Sequence, residues 1–173
     1  MTTPYAFPAR YHVRLDRQDL AFSAAHFITF GGQCERLHGH NYRVAVEVHG
    51  PLDANHYVAD FVALADIVRQ LLAAWDHCVL LPTEHPEIRV ATGEREVTAT
   101  FQDRRWVFPR GDCVLLPVAN TTAELLARHL ASALADRLQE GLGLRPDRIV
   151  VEVHESPGQM GVCHIGRSDP GQL

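Results

Sequence analysis

Cys34-Glu-Arg-Leu-His38-Gly-His40-Asn-Tyr42-Arg-Val-Ala-Val-Glu-Val-His49 runs without a break from a cluster of metal-binding side-chain types into regular apolar and polar alternation. Tyr42, Val44, Val46 and Val48 fall on one face, and Asn41, Arg43, Glu47 and His49 on the other, the period of a half-buried strand. Side chains i and i+2 share a face in extended backbone, so His38 and His40 project together while Gly39 points away. Gly50-Pro51 ends the strand. A third imidazole, His26, closes Phe22-Ser-Ala-Ala-His26, which reads as a neighbouring strand. Three imidazole nitrogens with a fourth position left for water or substrate make a common catalytic zinc arrangement, whereas a structural zinc is closed by four protein ligands. Cys34 stands at that fork, either as fourth ligand or as a reactive thiol beside an open metal. Gly32-x5-His38-x-His40 also matches the start of a cupin metal motif, but no acidic ligand follows at Val44 or Ala45.

Outward from this stretch the periodicity changes. Tyr11, Val13 and Leu15 alternate as a strand, and Asp16-Arg-Gln-Asp19 reads as a turn or bulge before Leu20 to His26. Phe61, Leu64, Val68, Leu71 and Trp75 recur at helical spacing behind an Asp60 N-cap, giving a helix of about four turns that stops near Asp76-His77. A second helix starts at Asn120-Thr-Thr-Ala-Glu124, where Thr121 and Glu124 form a capping-box pattern. Gly141 to Pro146 closes it. Ile149, Val151 and Val153 alternate in a strand, Ser156-Pro-Gly158 turns, and Gly161 to Ile165 returns as a last short strand. Between the helices, residues 84–117 carry three short strands, 88–91, 97–101 and 105–108, with turns at Gly93-Glu94 and Gln102-Asp103. Strands, helix, helix, strands is an α+β order, and the short turns favour antiparallel pairing. Two long helices do not suit an all-β cupin barrel. With no repeat, low-complexity tract or linker, residues 1–173 read as one domain.

Composition narrows the function classes. The chain has 173 residues, 46% hydrophobic and 21% charged, the balance of an ordinary globular protein able to bury a core without disulfides. A formal net charge of -5 gives no global attraction for nucleic acid or an anionic membrane. No apolar run approaches a bilayer span. Cys34, Cys78, Cys113 and Cys163 form no C-x-x-C pair, and Met1-Thr-Thr-Pro-Tyr-Ala lacks a signal-peptide pattern, so a cytoplasmic protein with free thiols is expected. Cys78, Cys113 and Cys163 are assigned to packing, and His49, His56, His85, His129 and His164 have no partner pattern.

Ser23-Ala-Ala-His26, Cys34-x3-His38-Gly-His40-Asn-Tyr42, Asp60-Phe61, Asp76-His77, Asn120-Thr-Thr-Ala-Glu124 and His154-Glu155 occur in order, at compatible spacing, from Phe22 to about Cys163. In these motifs the chain resembles the 6-pyruvoyltetrahydropterin and 6-carboxytetrahydropterin synthase family, whose members adopt the tunnelling fold. The resemblance implies an antiparallel sheet with two helices packed on one face, closed by a homo-oligomer, a hexamer, with active sites at the subunit interfaces. It implies Zn2+ on His26, His38 and His40, Cys34 as thiol base, and Asp76 with His77 as its assistants. Glu155 would hold the pterin N-H groups, with Thr121 and Thr122 near the ring. The implied substrate is 7,8-dihydroneopterin triphosphate and the favoured product 6-carboxy-5,6,7,8-tetrahydropterin, a queuosine precursor, with 6-pyruvoyltetrahydropterin and 6-hydroxymethyldihydropterin as the alternative products.

Each assignment has a plainer counterpart. Asp76-His77 also suits a helix terminus with a favourable dipole contact, Thr121 and Thr122 a helix cap, and Glu155 a strand-end charge. A zinc-stabilised pterin-binding module without catalysis would use Cys34 to close the metal shell. Two features depart from the family pattern. Residues 84–117 exceed its usual connection by roughly thirty residues, a length that implies structure or a role of its own. Glu35 follows Cys34 directly, and some relatives that make hydroxymethyldihydropterin resemble this sequence with a glutamate in place of the thiol, so Glu35 is a candidate second base.

Overall fold

The computed structural model describes residues 9–166; the Met1 to Ala6 segment read for targeting lies outside them. In chain order the strands are β1 (Tyr11–His26), β2 (Thr29–Phe30), β3 (Gln33–Cys34) and β4 (His38–Gly50), followed by helix α1 (Phe61–Ala73). Then come β5 (Cys78–Pro82), β6 (Arg89–Thr92), β7 (Glu96–Phe101), β8 (Arg104–Pro109), β9 (Cys113–Leu116), helix α2 (Ala123–Leu142), β10 (Arg148–Ser156) and β11 (Gln159–Gly166).

β1 and β4 form the spine, antiparallel from Tyr11 opposite Gly50 to His26 opposite His38. The register shifts between Asp16 and Ala21, the expected bulge, where Arg17 and Arg69 both bind Asp19. The six-stranded sheet has the order β11-β10-β4-β1-β5-β9. Its first four strands pair antiparallel as expected. Its other edge differs, because β5 runs parallel to β1 and β9 parallel to β5. Neither strand alternates in sequence. Leu80 enters the core under the helices and Leu81 a second apolar cluster, so β5 is covered on both sides and reads as a continuous apolar run. A parallel pair needs a crossover, and the segment between β5 and β9 supplies it as a separate antiparallel sheet, β6-β7-β8, close to its expected bounds.

Both helices pack on one face of the main sheet. α1 buries Leu64, Val68 and Leu72, and α2 buries Leu126, Leu130, Leu134 and Leu138, against Tyr42, Val44, Val46, Val48, Ile149, Val151 and Val153. Burying one leucine is worth roughly 1.5–3 kcal/mol, so packing of these stripes carries the helices more than propensity does. Asp60 caps α1, its Oδ1 accepting the Ala63 N–H at 2.8 Å. Phe61, read as part of the apolar stripe, is 55% exposed on the outer side of the first turn. α2 ends on Gly143 at φ 65°, where left-handed backbone lets the Gly143 and Leu144 N–H groups bond back to Gln139 and Leu138. Among the described residues no helix is long and apolar enough to cross a membrane.

Candidate active site

The three histidines meet at one end of the β1–β4 ladder. His26 faces His38 directly and His40 faces Ala24, so strand alternation puts all three rings on the helix-covered side. Gly39 between them is a packing requirement, since a Cβ there would lie 3.1 Å from the Ala24 carbonyl oxygen. One ring nitrogen from each histidine lies within 4.8 Å of the other two.

Backbone carbonyls aim two of the rings. His26 Nδ1 is 2.9 Å from the Thr121 oxygen and His38 Nδ1 is 2.8 Å from the Arg36 oxygen. A carbonyl only accepts, so each Nδ1 carries the proton and each Nε2 presents its lone pair. His26 Nε2 is buried and has no hydrogen-bond partner. An unpaired buried polar atom costs about 1–3 kcal/mol, and a metal ligated there would remove that cost. Burial holds the His26 pKa down to about 4, with the Thr121 carbonyl pulling it up and His38 and His40 pushing it down, so the ring is neutral at pH 7. A buried neutral donor, two oriented lone pairs and a third imidazole fit a divalent transition metal.

Two carboxylates flank the triad. Glu155 Oε1, at the end of β10, is 3.9 Å from His26 Nε2, and Glu35 Oε2 is 3.8 Å from His38 Nε2. Cys34 is half-buried against the second apolar cluster, that of Phe27 and Leu81, and falls outside the tight donor cluster. Burial pushes its thiol up, the Arg104 guanidinium pulls it down and Glu35 pushes it up again, with a net rise.

Asp76 and His77 are joined to each other but not to Cys34. Asp76 Oδ2 lies 2.9 Å from His77 Nδ1, and Asp76 Oδ1 accepts the Ser23 N–H at 2.8 Å. Those two contacts, Ser23 first, hold the Asp76 carboxyl below its ordinary range. His77 sits at φ 60° and its N–H bonds the Ser23 carbonyl at 2.6 Å. Its ring is 82% exposed. His77 lines an open cleft of about 450 Å³ with Ser23, Ala25, Gly39 and Asn41, which alternate away from the triad, and with His40 of the triad itself. Among the described residues no hydrogen bond or ion pair links this dyad to Cys34.

The two threonines act differently from the sequence expectation. Thr122, not Thr121, occupies the N-cap of α2, and its side chain makes no cap bond. Thr121 is fully buried, its Oγ1 donating to the Phe27 carbonyl at 3.0 Å while its own carbonyl holds His26. The capping box does not form because that hydroxyl is already engaged. Asn120 fixes the same junction, its Nδ2 donating to the Thr29 carbonyl at 3.0 Å. Sequence reasoning missed this support, and also the Tyr42 hydroxyl, buried without a partner next to the His26 and His40 rings. The strand pattern shows only that Tyr42 points inward. His85 proves structural, with Nδ1 accepting two backbone N–H groups and Nε2 2.6 Å from Thr29 Oγ1.

Fold and donor set together define an α+β protein with three histidines placed where they could hold a metal ion at one end of its sheet. The chain belongs to the 6-pyruvoyl tetrahydropterin synthase family, whose sequence profile matches residues 17–164. A relative from Methanocaldococcus jannaschii, named provisionally as a 6-carboxy-5,6,7,8-tetrahydropterin synthase, is 32% identical over 146 residues, 84% of this chain and 89% of that one. The 6-carboxy-5,6,7,8-tetrahydropterin synthase of Bacillus subtilis is 35% identical over 80 residues, 44% of this chain and 48% of its own. The crystal structure of 6-pyruvoyl tetrahydropterin synthase from Plasmodium vivax superposes with a TM-score of 0.85 at 27% identity, covering 92% of this chain and all of that one. Another structure of the Plasmodium vivax protein, with a TM-score of 0.84, has alanine in place of a glutamate named as a catalytic residue.

Proposed function

We propose that this chain is a zinc-dependent lyase converting 7,8-dihydroneopterin triphosphate to 6-carboxy-5,6,7,8-tetrahydropterin, on the route to queuosine. The observation that carries the reading is the convergence of three imidazole nitrogens within 4.8 Å, with the Glu155 carboxylate 3.9 Å from one of them. The relatives named as 6-carboxytetrahydropterin synthases favour that product over the alternatives.

His26, His38 and His40 hold the zinc, which when bound supplies a Lewis acid for the substrate's side-chain oxygens. Glu155 offers two carboxylate oxygens to adjacent N–H donors of the pterin and so sets the ring's distance from the triad. Thr121 and Thr122 enter through position: the Thr121 carbonyl aims His26, and the free Thr122 hydroxyl is the one of the pair available to a ring. Cys34 takes the carbon-bound proton, and the Arg104 cation favours its thiolate. Asp76 orients His77, which relays that proton. Among the described residues no hydrogen bond or ion pair joins the dyad to the thiol within one chain, and by family resemblance the site draws its dyad from a second copy in a cytoplasmic homo-oligomer, a hexamer.

A second reading has its own support. The Glu35 carboxylate lies 3.8 Å from His38 Nε2, whereas Cys34 falls outside the donor cluster, and the Plasmodium vivax neighbour is described with a catalytic glutamate. Glu35 as base would divert substrate to 6-hydroxymethyldihydropterin. Incubation of the zinc-loaded protein with dihydroneopterin triphosphate, followed by mass spectrometry of the products, separates these readings. The 6-carboxy product is expected to dominate. A protein that binds zinc and pterin but turns nothing over would instead be a binding module.

A further inference from the structure

Arg104, the first residue of β8, reaches from the three-stranded sheet to the segment that carries both candidate bases. Its Nη1 donates to the Cys34 carbonyl at 2.5 Å and to the Glu35 carbonyl at 2.9 Å. Successive carbonyls of an extended chain point to opposite sides, so one nitrogen meets both only where the backbone turns. The chain turns there: β3 ends at Cys34, and the Glu35 N–H returns to the Ile28 carbonyl at 2.9 Å. That turn frees the Cys34 and Glu35 side chains from the alternation of extended backbone, which would make them face apart.

The anchor behind the guanidinium is rigid. It lies over the Trp106 ring at 4.5 Å, and Trp106 stacks on Phe27 with centroids 4.5 Å apart and planes at 15°. Phe27 is fully buried, and its carbonyl accepts the Thr121 hydroxyl. One continuous set of contacts therefore runs from β8 through Trp106, Phe27 and Thr121 to His26, so the loop is located relative to the triad. Gln102 Nε2 adds a contact to the Gly32 carbonyl at 3.4 Å.

We propose that Arg104 is a specificity-determining positioning residue, which fixes the peptide between Cys34 and Glu35 and with it the division of substrate between products made through the thiol and through the carboxylate. The crossover sheet thus has a task in the reaction although it contributes no group to the triad. This rests on the pterin-synthase reading above. A lysine ammonium can donate to both carbonyls as Nη1 does but lacks the planar guanidinium that lies over Trp106, so lysine replaces arginine only in part.

The test uses zinc-loaded full-length protein and dihydroneopterin triphosphate, comparing wild type with Arg104→Ala and Arg104→Lys. The ratio of minor to major pterin product is expected to change by about tenfold in Arg104→Ala, the equivalent of about 1.4 kcal/mol between the two routes. Arg104→Lys should restore it in part, with zinc content unchanged and KM moving less than about threefold. Amide exchange across 31–37 should rise in Arg104→Ala while that of β4 does not. Faster exchange with an unchanged product ratio would make Arg104 a loop staple and overturn the proposal, as would unchanged exchange. If wild type yields no pterin product, the functional reading itself fails and the proposal with it, an outcome distinct from an active but unshifted Arg104→Ala. Should Arg104→Ala not fold, Arg104→Gln gives the same readouts with one donor kept.

Discussion

Mixing two inactive variants should restore activity. Cys34 is half-buried against the Phe27 cluster, while the His77 backbone is tied to Ser23 and its exposed ring makes no hydrogen bond or ion pair to Cys34 among the described residues, so the two are expected to meet across a subunit interface. Cys34→Ala and His77→Ala should each lower turnover by about two to four powers of ten, since each removes part of one proton-transfer unit. In a co-refolded 1:1 mixture, a site that takes its thiol from one chain and its dyad from the next is intact when the thiol donor is a His77→Ala chain and the dyad donor a Cys34→Ala chain. Each condition is met half the time on random assortment, so about one quarter of sites recover, far above either variant alone. Wild type mixed with the double variant sharpens the count, because shared sites leave about one quarter active where self-contained sites leave about one half. Steady-state turnover on dihydroneopterin triphosphate is the assay, with subunit exchange checked by differently tagged chains. A mixture of the single variants that exchanges subunits yet stays at the single-variant level would refute the reasoning and require a dyad that reaches Cys34 in its own chain.

The remaining expectations concern the metal, pH and the pterin. Any one of His26→Ala, His38→Ala and His40→Ala should release most of the bound zinc while Cys34→Ala retains it; elemental analysis showing zinc lost from Cys34→Ala would support a closed structural site. In metal-free protein the depressed His26 pKa, about 4, favours the neutral folded form. The unfolded chain therefore takes up the proton first as pH falls, and stability should drop between about pH 6.5 and 4, by about 3 kcal/mol at most, in urea unfolding. Flat stability across that window in wild type, matched by His26→Gln, would show that the ring carries no such penalty. Glu155→Gln replaces an acceptor oxygen with a donor facing pterin N–H groups and should weaken binding by about tenfold to a hundredfold in calorimetry, with zinc content unchanged.

What the sequence determined follows from local backbone geometry. The i, i+2 rule put His38 and His40 on one side whatever the rest of the chain did, and the same alternation continued into Val44, Val46 and Val48 as core. Asp60, Gly143 and the turns of the crossover sheet were legible because caps and turns are decided within a few residues. The parallel strands β5 and β9 were not, since a short strand covered on both sides has no alternation to display. Nor were the contacts that shape the site. Ser23 to Asp76 spans 53 positions, Cys34 to Arg104 spans 70 and His26 to Thr121 spans 95. Each uses a backbone amide or carbonyl, which every residue has, so no side-chain pattern announces it. Residue types and spacing therefore indicated a three-histidine metal site, while its carboxylates were implied by the family resemblance. Only the folded chain decided that Thr121 serves through its carbonyl, that the Ser23 amide holds Asp76, and that Arg104 holds the turn between Cys34 and Glu35, because those outcomes depend on which distant backbone groups packing brings within hydrogen-bond reach.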